Sequence, residues 1–319
     1  MRIVFLGIPG AMVYNFGAAI LRSAGDTKRP LIILSVSGIA NVLLNVVFVL
    51  FFHLDVAGVA LATVVSQGIS AIFCYIKLAR MGDIFDMNLK TMKLIPSMAG
   101  RILRIGIPSG ITQAIMATAG MVVLNLTNAM GETVIACNVI VMRVDGFAMM
   151  PNLSFGQAMS VYAGQNVGAG KYDRVSQGGR QGGFMAAGFA AAVTEVLLLG
   201  GRVLFGLFTK TESLIDLAAS MMQIMAVGYI CMSVTQVLGG IMRGAGDTMT
   251  PMWISIISII IIRVPLAYWL AEITKTAEFP HGQPIALYGS LLISWVLGML
   301  MSVAMFWLGK WRKKMLQRA

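Results

Sequence analysis

The sequence predicts an all-α integral membrane protein, a helical bundle of nine transmembrane helices in a two-lobe repeat architecture with an incomplete first lobe. Three observations lead to this fold class: the composition, nine long apolar runs, and one loop sequence that occurs twice. Hydrophobic residues make up 58% of the 319 residues and charged residues only 12%, with a mean hydropathy of +0.83. A soluble domain of this length needs far more polar surface, so the composition excludes that class.

The apolar runs are long enough to cross a bilayer as helices. A spanning helix needs about 20 residues, and the runs lack the period-two alternation of barrel strands. Because hydrocarbon offers no hydrogen-bond partners, such runs satisfy their backbone groups internally as helices. The predicted spans are residues 3–21, 30–52, 56–78, 104–129, 134–166, 177–208, 213–241, 251–273 and 286–309.

One loop sequence occurs twice along the chain. Residues 22–30 read RSAGDTKRP and residues 243–251 read RGAGDTMTP, so each shared residue lies 221 positions after its counterpart, as Arg243 does after Arg22. We call these two segments the GDT loops. Each ends one apolar run and opens the next through a proline, which the first turn of a helix tolerates. So long a period indicates two homologous halves rather than a solenoid, and such halves are typical of secondary transporters.

The basic residues predict which loops face the cytoplasm, where Lys and Arg concentrate. Eighteen of the 24 lie in or beside alternate connections: the two GDT loops, the connection around 79–103, the 171–180 turn and the C-terminus. The opposite side has only Arg2, Lys210 and Lys275. We therefore expect a multi-pass protein of the cell membrane with both GDT loops and its C-terminus in the cytoplasm.

The longest charged connection divides the chain into two predicted lobes. Residues 1–78 form a partial N-terminal lobe of three helices, 79–103 a cytoplasmic inter-lobe linker, 104–309 a C-terminal lobe of six helices, and 310–319 a basic cytoplasmic tail. The first GDT loop lies between the first and second helices of the N-terminal lobe. The second GDT loop lies between the fourth and fifth helices of the C-terminal lobe. By this repeat, we expect the first lobe to lack its first three helices.

Several further motifs follow one another in order: NVLLN at 41–45, GVALATVVSQ at 58–67, IGIPSG at 105–110, RVDGFAMMP at 143–151, GQAMSVYAGQNVGAGKYDR at 156–174 and RVPLAYWL at 263–270. Together with the GDT loops, they resemble the multidrug and toxic compound extrusion (MATE) family of cation-coupled antiporters. The resemblance covers essentially all of the chain. It implies two six-helix lobes, of which this chain has the equivalents of helices four to twelve.

Polar residues inside a span are candidates for function because they are costly in hydrocarbon. Asn41 and Asn45 lie four residues apart on one helix face, and Thr63 lies in the third span. The resemblance implies that these three help to bind the coupling proton or sodium ion. Relatives often have an aspartate at the Asn45 position, whereas the cluster of this sequence has no titratable group. The alternative is that the three side chains only form hydrogen bonds between helices.

A second group of residues predicts a substrate cavity in the C-terminal lobe. Arg143 and Asp145 lie two residues apart in the fifth span, so they face different directions and form no simple pair within the helix. We expect one to face the cavity and the other to pair with a neighbour. Gln113, Met116 and Asn138 are the other cavity candidates. A different branch of the family has a glutamate where this chain has Met116, so the cation site of that branch is not supported here.

Three further charges lie inside the predicted spans. Glu195 and Arg202 of the sixth span are possible partners for Arg143 or Asp145, and Arg263 precedes a proline in the eighth span. We interpret all three as structural or gating charges. The alternative for Arg143 and Asp145 is buried structural pairing or contact with lipid headgroups.

The favoured function is multidrug efflux: the two lobes alternate access and export cationic or amphipathic compounds in exchange for protons or sodium ions. Alternatives are a lipid-linked sugar flippase of the related superfamily and a non-functional transporter fragment. An enzyme is disfavoured because no nucleophile with its base is visible. We expect no catalytic residues, metal or cofactor, and no nucleic-acid partner. The expected partners are a small drug-like substrate and membrane lipid.

Overall fold

The computed structural model of the chain describes residues 2–81, 93, 95–277, 279–309 and 311. Nine helices in these ranges are long and apolar enough to cross a membrane, as the apolar runs predicted. In chain order, α1 to α9 span Arg2–Ser23, Lys28–Phe51, Asp55–Ala79, Pro96–Ala129, Glu132–Gly168, Tyr172–Gly206, Glu212–Gly244, Met249–Ile273 and Ile285–Leu308.

The helices form two compact units. Unit 1 comprises Met1–Pro96 and unit 2 comprises Ser97–Ala319. In unit 1, α3 packs against both α1 and α2, and a small apolar core forms around the fully buried side chains of Leu21 and Cys74. Helix α3 is therefore the element that holds unit 1 together.

Helix α7 is the centre of unit 2. It packs against α5, α6 and α9, and 67% of its most apolar span is buried, against 28% or less for every other described span. Two apolar cores lie along it, one that reaches from its start to Tyr229 at its centre and one around Ile241 near its end. The residues between these cores are free to line a cavity.

Helices α5 and α7 cross with their backbones in contact. A Cβ atom on Gly240 would meet the carbonyl oxygen of Gly156, and one on Gly244 would meet that of Ser160. In lipid, helix association depends on van der Waals packing and small residues at the crossing, because the hydrophobic effect no longer favours it. Small residues at four-residue spacing on both helices, Gly156, Ser160 and Gly164 against Gly240 and Gly244, provide that packing.

The two GDT loops have the same backbone conformation. Gly25 and Gly246 have φ values of +88° and +85°, in the left-handed region that favours glycine. In the first loop, the Gly25 amide donates to the Arg22 carbonyl at 3.0 Å and the Asp26 amide to Leu21 at 2.9 Å. The second loop repeats both bonds 221 residues later, at 2.9 and 2.8 Å. This arrangement is a Schellman motif, so the sequence repeat is also a structural repeat.

The aspartates of the two loops also have the same role, as acceptors for an amide of the helix that follows. The Asp26 carboxylate accepts a hydrogen bond from the Arg29 amide at 3.1 Å, and Asp247 accepts one from the Thr250 amide at 3.4 Å. Each carboxylate thus satisfies an amide of the first turn of the following helix, which would otherwise have no partner.

Helix α8 contains a π-helical segment at Ile256–Arg263. Pro265, two residues after the segment ends, has no amide hydrogen to donate to the preceding turn, which gives a physical reason for the wider winding. Segments of this kind occur frequently at functional sites. Here the segment ends at Arg263, one of the charges that the sequence singled out.

The helix bounds differ from the predicted ones mainly at α4, which begins at Pro96 rather than at 104 and so takes up the end of the predicted linker. Residues 82–92 and 94 of the linker, and the predicted tail 310–319 apart from Trp311, lie outside the described residues. The division into lobes, linker and tail stays a prediction, as does the cytoplasmic side assigned from the basic residues.

Candidate functional site

A polar pocket of about 430 Å³ lies within unit 1. The Asn45 amide group donates to Asn41 Oδ1 at 3.1 Å, and the Asn41 amide group donates to Ser66 Oγ at 3.3 Å, joining α2 to α3. Asn41 and Thr63 both line the pocket. The structure therefore brings the three cation-coupling candidates into one cluster, with Asn45 attached to it through Asn41.

Two oxygens of this cluster have no hydrogen-bond donor. Asn45 Oδ1 and Gln67 Oε1 are buried and without a partner among the described residues. Buried polar atoms usually have a hydrogen-bond partner, so these two exceptions need an explanation. Amide and hydroxyl oxygens suit a hard cation such as sodium. The described lining of this pocket includes no carboxylate, so it has no acidic side chain that could release a proton.

Unit 2 contains a larger cavity, of about 640 Å³. Residues of α4, α5, α7, α8 and α9 line it, and many of them are hydroxyl, amide or thioether side chains. A volume of this order suits a drug-sized molecule. Its flexible apolar lining includes Met116, Met149 and Met232, and its amide lining includes Gln113, Gln157 and Gln236.

Asp145 is the one carboxylate on the described lining of this cavity. The Tyr229 hydroxyl, on the fully buried centre of α7, donates to Asp145 Oδ1 at 2.8 Å. Trp295 packs against the Tyr229 ring with 5.8 Å between centroids, which fixes the phenol in place. The carboxylate is thus held by one strong hydrogen bond and can still reach a ligand with its other oxygen.

Two arginines line the same cavity. Arg263 comes from the π-helical segment of α8, and its Nε atom is buried without an acceptor among the described residues. Arg243 comes from the end of α7 and folds back along that helix, so that its Nη1 atom lies 3.2 Å from where a Cβ of Gly239 would be. Neither arginine forms a salt bridge with a described residue.

The structure separates the other predicted cavity residues. Gln113, Met116 and Asp145 line the cavity, whereas Arg143 and Asn138 are not among its described lining. Arg143 is exposed, with its Cζ atom 6.0 Å from the ring centroid of Phe208. Asn138 instead accepts a hydrogen bond from the Tyr288 hydroxyl at 2.8 Å, which ties α5 to α9. Of the two charges in the fifth span, Asp145 therefore faces the cavity.

The expected ion pairs of the sixth span do not form. Arg202 lies 3.3 Å from Glu212 and 2.7 Å from Asp216, both at the exposed start of α7, rather than beside Asp145. Glu195 is exposed and has no ion pair within the described part of the chain. The expected pairing of Arg143 or Asp145 with Glu195 or Arg202 is therefore wrong for the described residues, because Arg202 pairs with the start of α7 and Asp145 bonds to Tyr229.

Two residues of the cavity region, Arg243 and Tyr229, do not follow from the sequence patterns. The apolar run ends at 241, which places Arg243 in a loop, whereas α7 continues to Gly244. A usable signal was present: Gly239 precedes Arg243 by one helical turn and leaves room for its side chain to fold back. For Tyr229, a lone tyrosine in an apolar span, the sequence offered no signal.

Comparison with known proteins gives these observations a context. A model of the MatE family matches residues 1–47 and 108–269. The chain is 27% identical over 301 residues to the probable multidrug resistance protein YoeA of Bacillus subtilis, covering 92% of this chain and 65% of that protein. It is 25% identical over 319 residues to the probable multidrug resistance protein NorM of Thermotoga maritima, covering 98% and 67%. The chain therefore spans about two-thirds of the length of these relatives.

Solved structures share the fold. The crystal structure of MATE in the bent conformation has a TM-score of 0.85 at 20% identity, covering 99% of this chain and 69% of that one. The Vibrio cholerae MATE transporter VcmN in the bent form has a TM-score of 0.81 at 17% identity, with coverage of 99% and 69%. At these identities the structural likeness establishes only the fold. The match of the family model, which covers more than half of the sequence, establishes the family. The chain belongs to the MatE family of multidrug and toxic compound extrusion transporters.

Proposed function

We propose that the protein exports cationic or amphipathic compounds in exchange for protons or sodium ions, by alternating access of two lobes. The observation that carries this proposal is the cavity of unit 2, which combines a drug-sized volume with one carboxylate, Asp145. Flexible thioether and amide side chains around that carboxylate suit a site that accepts several shapes. Membership of the MatE family supports the same class of substrate.

The two units support different coupling ions. In unit 1, the oxygens of Asn41, Asn45 and Thr63 suit sodium, because neutral oxygens can bind a metal cation without titrating. In unit 2, Asp145 can bind a proton or the cationic group of a substrate, but not both at once. Competition for that carboxylate is the simplest way to link substrate release to proton uptake.

Coupling of this kind is testable by binding alone. We expect the purified 319-residue chain to bind a cationic rhodamine ester, and we expect the affinity to fall on acidification or on addition of sodium chloride. Fluorescence polarisation measures the dissociation constant, with choline chloride at equal ionic strength as the control. An affinity that responds to neither pH nor sodium would contradict exchange against either ion.

An acidic variant of the unit 1 cluster refines this test. Asn45→Asp places a titratable carboxylate beside Asn41, so we expect dye binding or sodium binding to become more strongly pH-dependent than in the native chain. Asn128→Asp adds the same group at an exposed position of α4 and serves as the matched control. Identical pH profiles for the two variants would assign Asn41 and Asn45 to helix packing.

We propose further that the GDT loops and the C-terminus are cytoplasmic. Single cysteines at Thr27 and Met249 probe the two loops at exposed positions, and Thr211 probes the opposite side. The native cysteines are buried and can be replaced beforehand. In intact cells, we expect a membrane-impermeant thiol reagent to label the cysteine at 211 and to spare those at 27 and 249. The reverse pattern would overturn the proposed orientation.

A further inference from the structure

The cavity of unit 2 has more positive than negative charge. Its described lining contains two guanidinium groups, Arg243 and Arg263, and one carboxylate, Asp145. A site built only for organic cations would be expected to have the opposite balance, because like charges repel a ligand across a poorly solvated cavity. The excess positive charge therefore indicates that the cavity also binds an anionic group, which the export of cations alone does not explain.

The three charges lie at two levels of the cavity. Asp145 is bonded to Tyr229, which precedes Arg243 by 14 residues of α7, or about 20 Å of helix. Arg263 lies at the far end of the π-helical segment of α8, about as far from the second GDT loop. Asp145 and Arg263 are thus opposite charges at the same, deep level of the cavity. The uncompensated charge is Arg243, at the level of the GDT loop.

Arg243 is placed to contact a ligand. Its guanidinium is half-buried, lines the cavity, and forms no hydrogen bond or salt bridge with a described residue. The nearest acidic residue in sequence, Asp247, is outside the cavity lining and binds the Thr250 hydroxyl at 2.7 Å. Gly239 makes the inward fold of Arg243 possible, since a side chain there would press against the guanidinium.

We infer that Arg243 forms an anion-binding subsite at the GDT-loop end of the unit 2 cavity. The amide side chains of Gln157 and Gln236 line the same cavity and provide further donors. Arginine binds carboxylate and phosphate groups through two parallel hydrogen bonds. The preferred substrate is therefore an amphipathic molecule with a carboxylate or phosphate group, and a cationic group of the same molecule can meet Asp145. This inference rests on the proposed function and narrows its substrate class.

A matched pair of dyes tests the subsite on the purified 319-residue chain. A rhodamine ethyl ester is a cation, and the free acid of the same dye is a zwitterion with nearly the same shape. We expect the free acid to bind about tenfold more tightly than the ester, as a charge-assisted hydrogen bond to arginine allows. Arg243→Gln should remove this preference by weakening binding of the free acid, while the cationic ester should bind at least as tightly as before because a like charge has been removed. Arg243→Lys, which keeps the charge but not the fork, should retain part of it.

Two variants separate the subsite from folding and from net charge. Gly239→Ala keeps Arg243 but places a Cβ 3.2 Å from its Nη1 atom, so it should lower the preference for the free acid less than Arg243→Gln does. Arg180→Gln removes one exposed positive charge of α6 outside the cavity and should leave the preference unchanged. A preference that survives Arg243→Gln, or that falls equally in Arg180→Gln, would overturn the subsite.

A third arm distinguishes a drug-like anion from a lipid headgroup. Soluble short-chain phosphatidic acid is added as a competitor, with short-chain phosphatidylcholine as the control. If phosphatidic acid competes with the dye in the native chain but not in Arg243→Gln, the subsite binds a lipid phosphate. If the free acid is preferred and phosphatidic acid does not compete, the subsite binds a drug-like anion. Equal binding of ester and free acid, with no competition by phosphatidic acid, refutes the subsite but leaves cation binding intact. Failure of both dyes to bind contradicts the proposed function as well.

Discussion

Replacing Gly240 with alanine is expected to destabilise unit 2 strongly. The added Cβ would overlap the carbonyl oxygen of Gly156 and lie 3.1 Å from its carbonyl carbon and 3.3 Å from the Ser160 amide nitrogen. All three are backbone atoms, which cannot move aside without separating α5 from α7. Overpacking of this kind costs about 1–3 kcal/mol or more. We expect the midpoint of thermal unfolding in detergent to fall by about 5 °C or more.

The control for this prediction is Gly200→Ala. Gly200 lies in α6, and a Cβ there meets no atom within 4 Å. The substitution removes the conformational freedom of glycine without creating a clash, so its effect should be neutral or slightly stabilising. If Gly240→Ala and Gly200→Ala unfolded at the same temperature, the backbone contact of α5 and α7 would not limit the stability of unit 2.

Replacing Asp145 with asparagine is expected to abolish the pH dependence of binding in unit 2. Asparagine has nearly the same shape and can still accept the hydrogen bond from Tyr229, so the helices should remain packed. In the native chain, we expect a cationic dye to bind better when the carboxylate is ionised, and we expect binding to weaken as the pH falls and the carboxylate takes up a proton. The variant should bind the cationic ester at all pH values with the weak affinity that the native chain has in acid, a loss of about tenfold at neutral pH.

The matched control for Asp145→Asn is Asp216→Asn. Asp216 is an exposed carboxylate paired with Arg202 at 2.7 Å, outside the cavity lining. Exposed pairs of this kind contribute little, so its pH profile should follow that of the native chain. If Asp145→Asn kept the pH profile of the native chain, the prediction would be contradicted, and the titrating group would have to be a residue other than Asp145.

The sequence predicted the spans and loops well because their signals are local. Apolar length and the two GDT loops depend on residues close together in the chain, and the structure confirmed nine helices in the described ranges and the same turn in both loops. The side-chain partners depended on helix rotation, which residue type alone does not determine. Arg202 therefore has Asp216 as its partner rather than Asp145.

The candidate site was predictable only in part for the same reason. Asn41 and Asn45 follow from spacing on one helix, whereas Arg243 enters the cavity because Gly239 leaves space one turn earlier. The contact of Tyr229 with Asp145 joins residues 84 positions apart, and only the packing of α5 on α7 creates it. Contacts of this kind become visible once the crossing of two helices is known.

The second GDT loop has a mechanical consequence for the cavity. Its turn is closed by two backbone hydrogen bonds and by the Asp247 carboxylate, so the elbow between α7 and α8 is stiff. We therefore expect any bending of this hairpin to occur inside α8, where the π-helical segment and Pro265 interrupt the regular hydrogen-bond ladder. Residues of that segment, among them Ser258, Ile259 and Arg263, line the cavity, so a bend there would move Arg263 within the cavity wall.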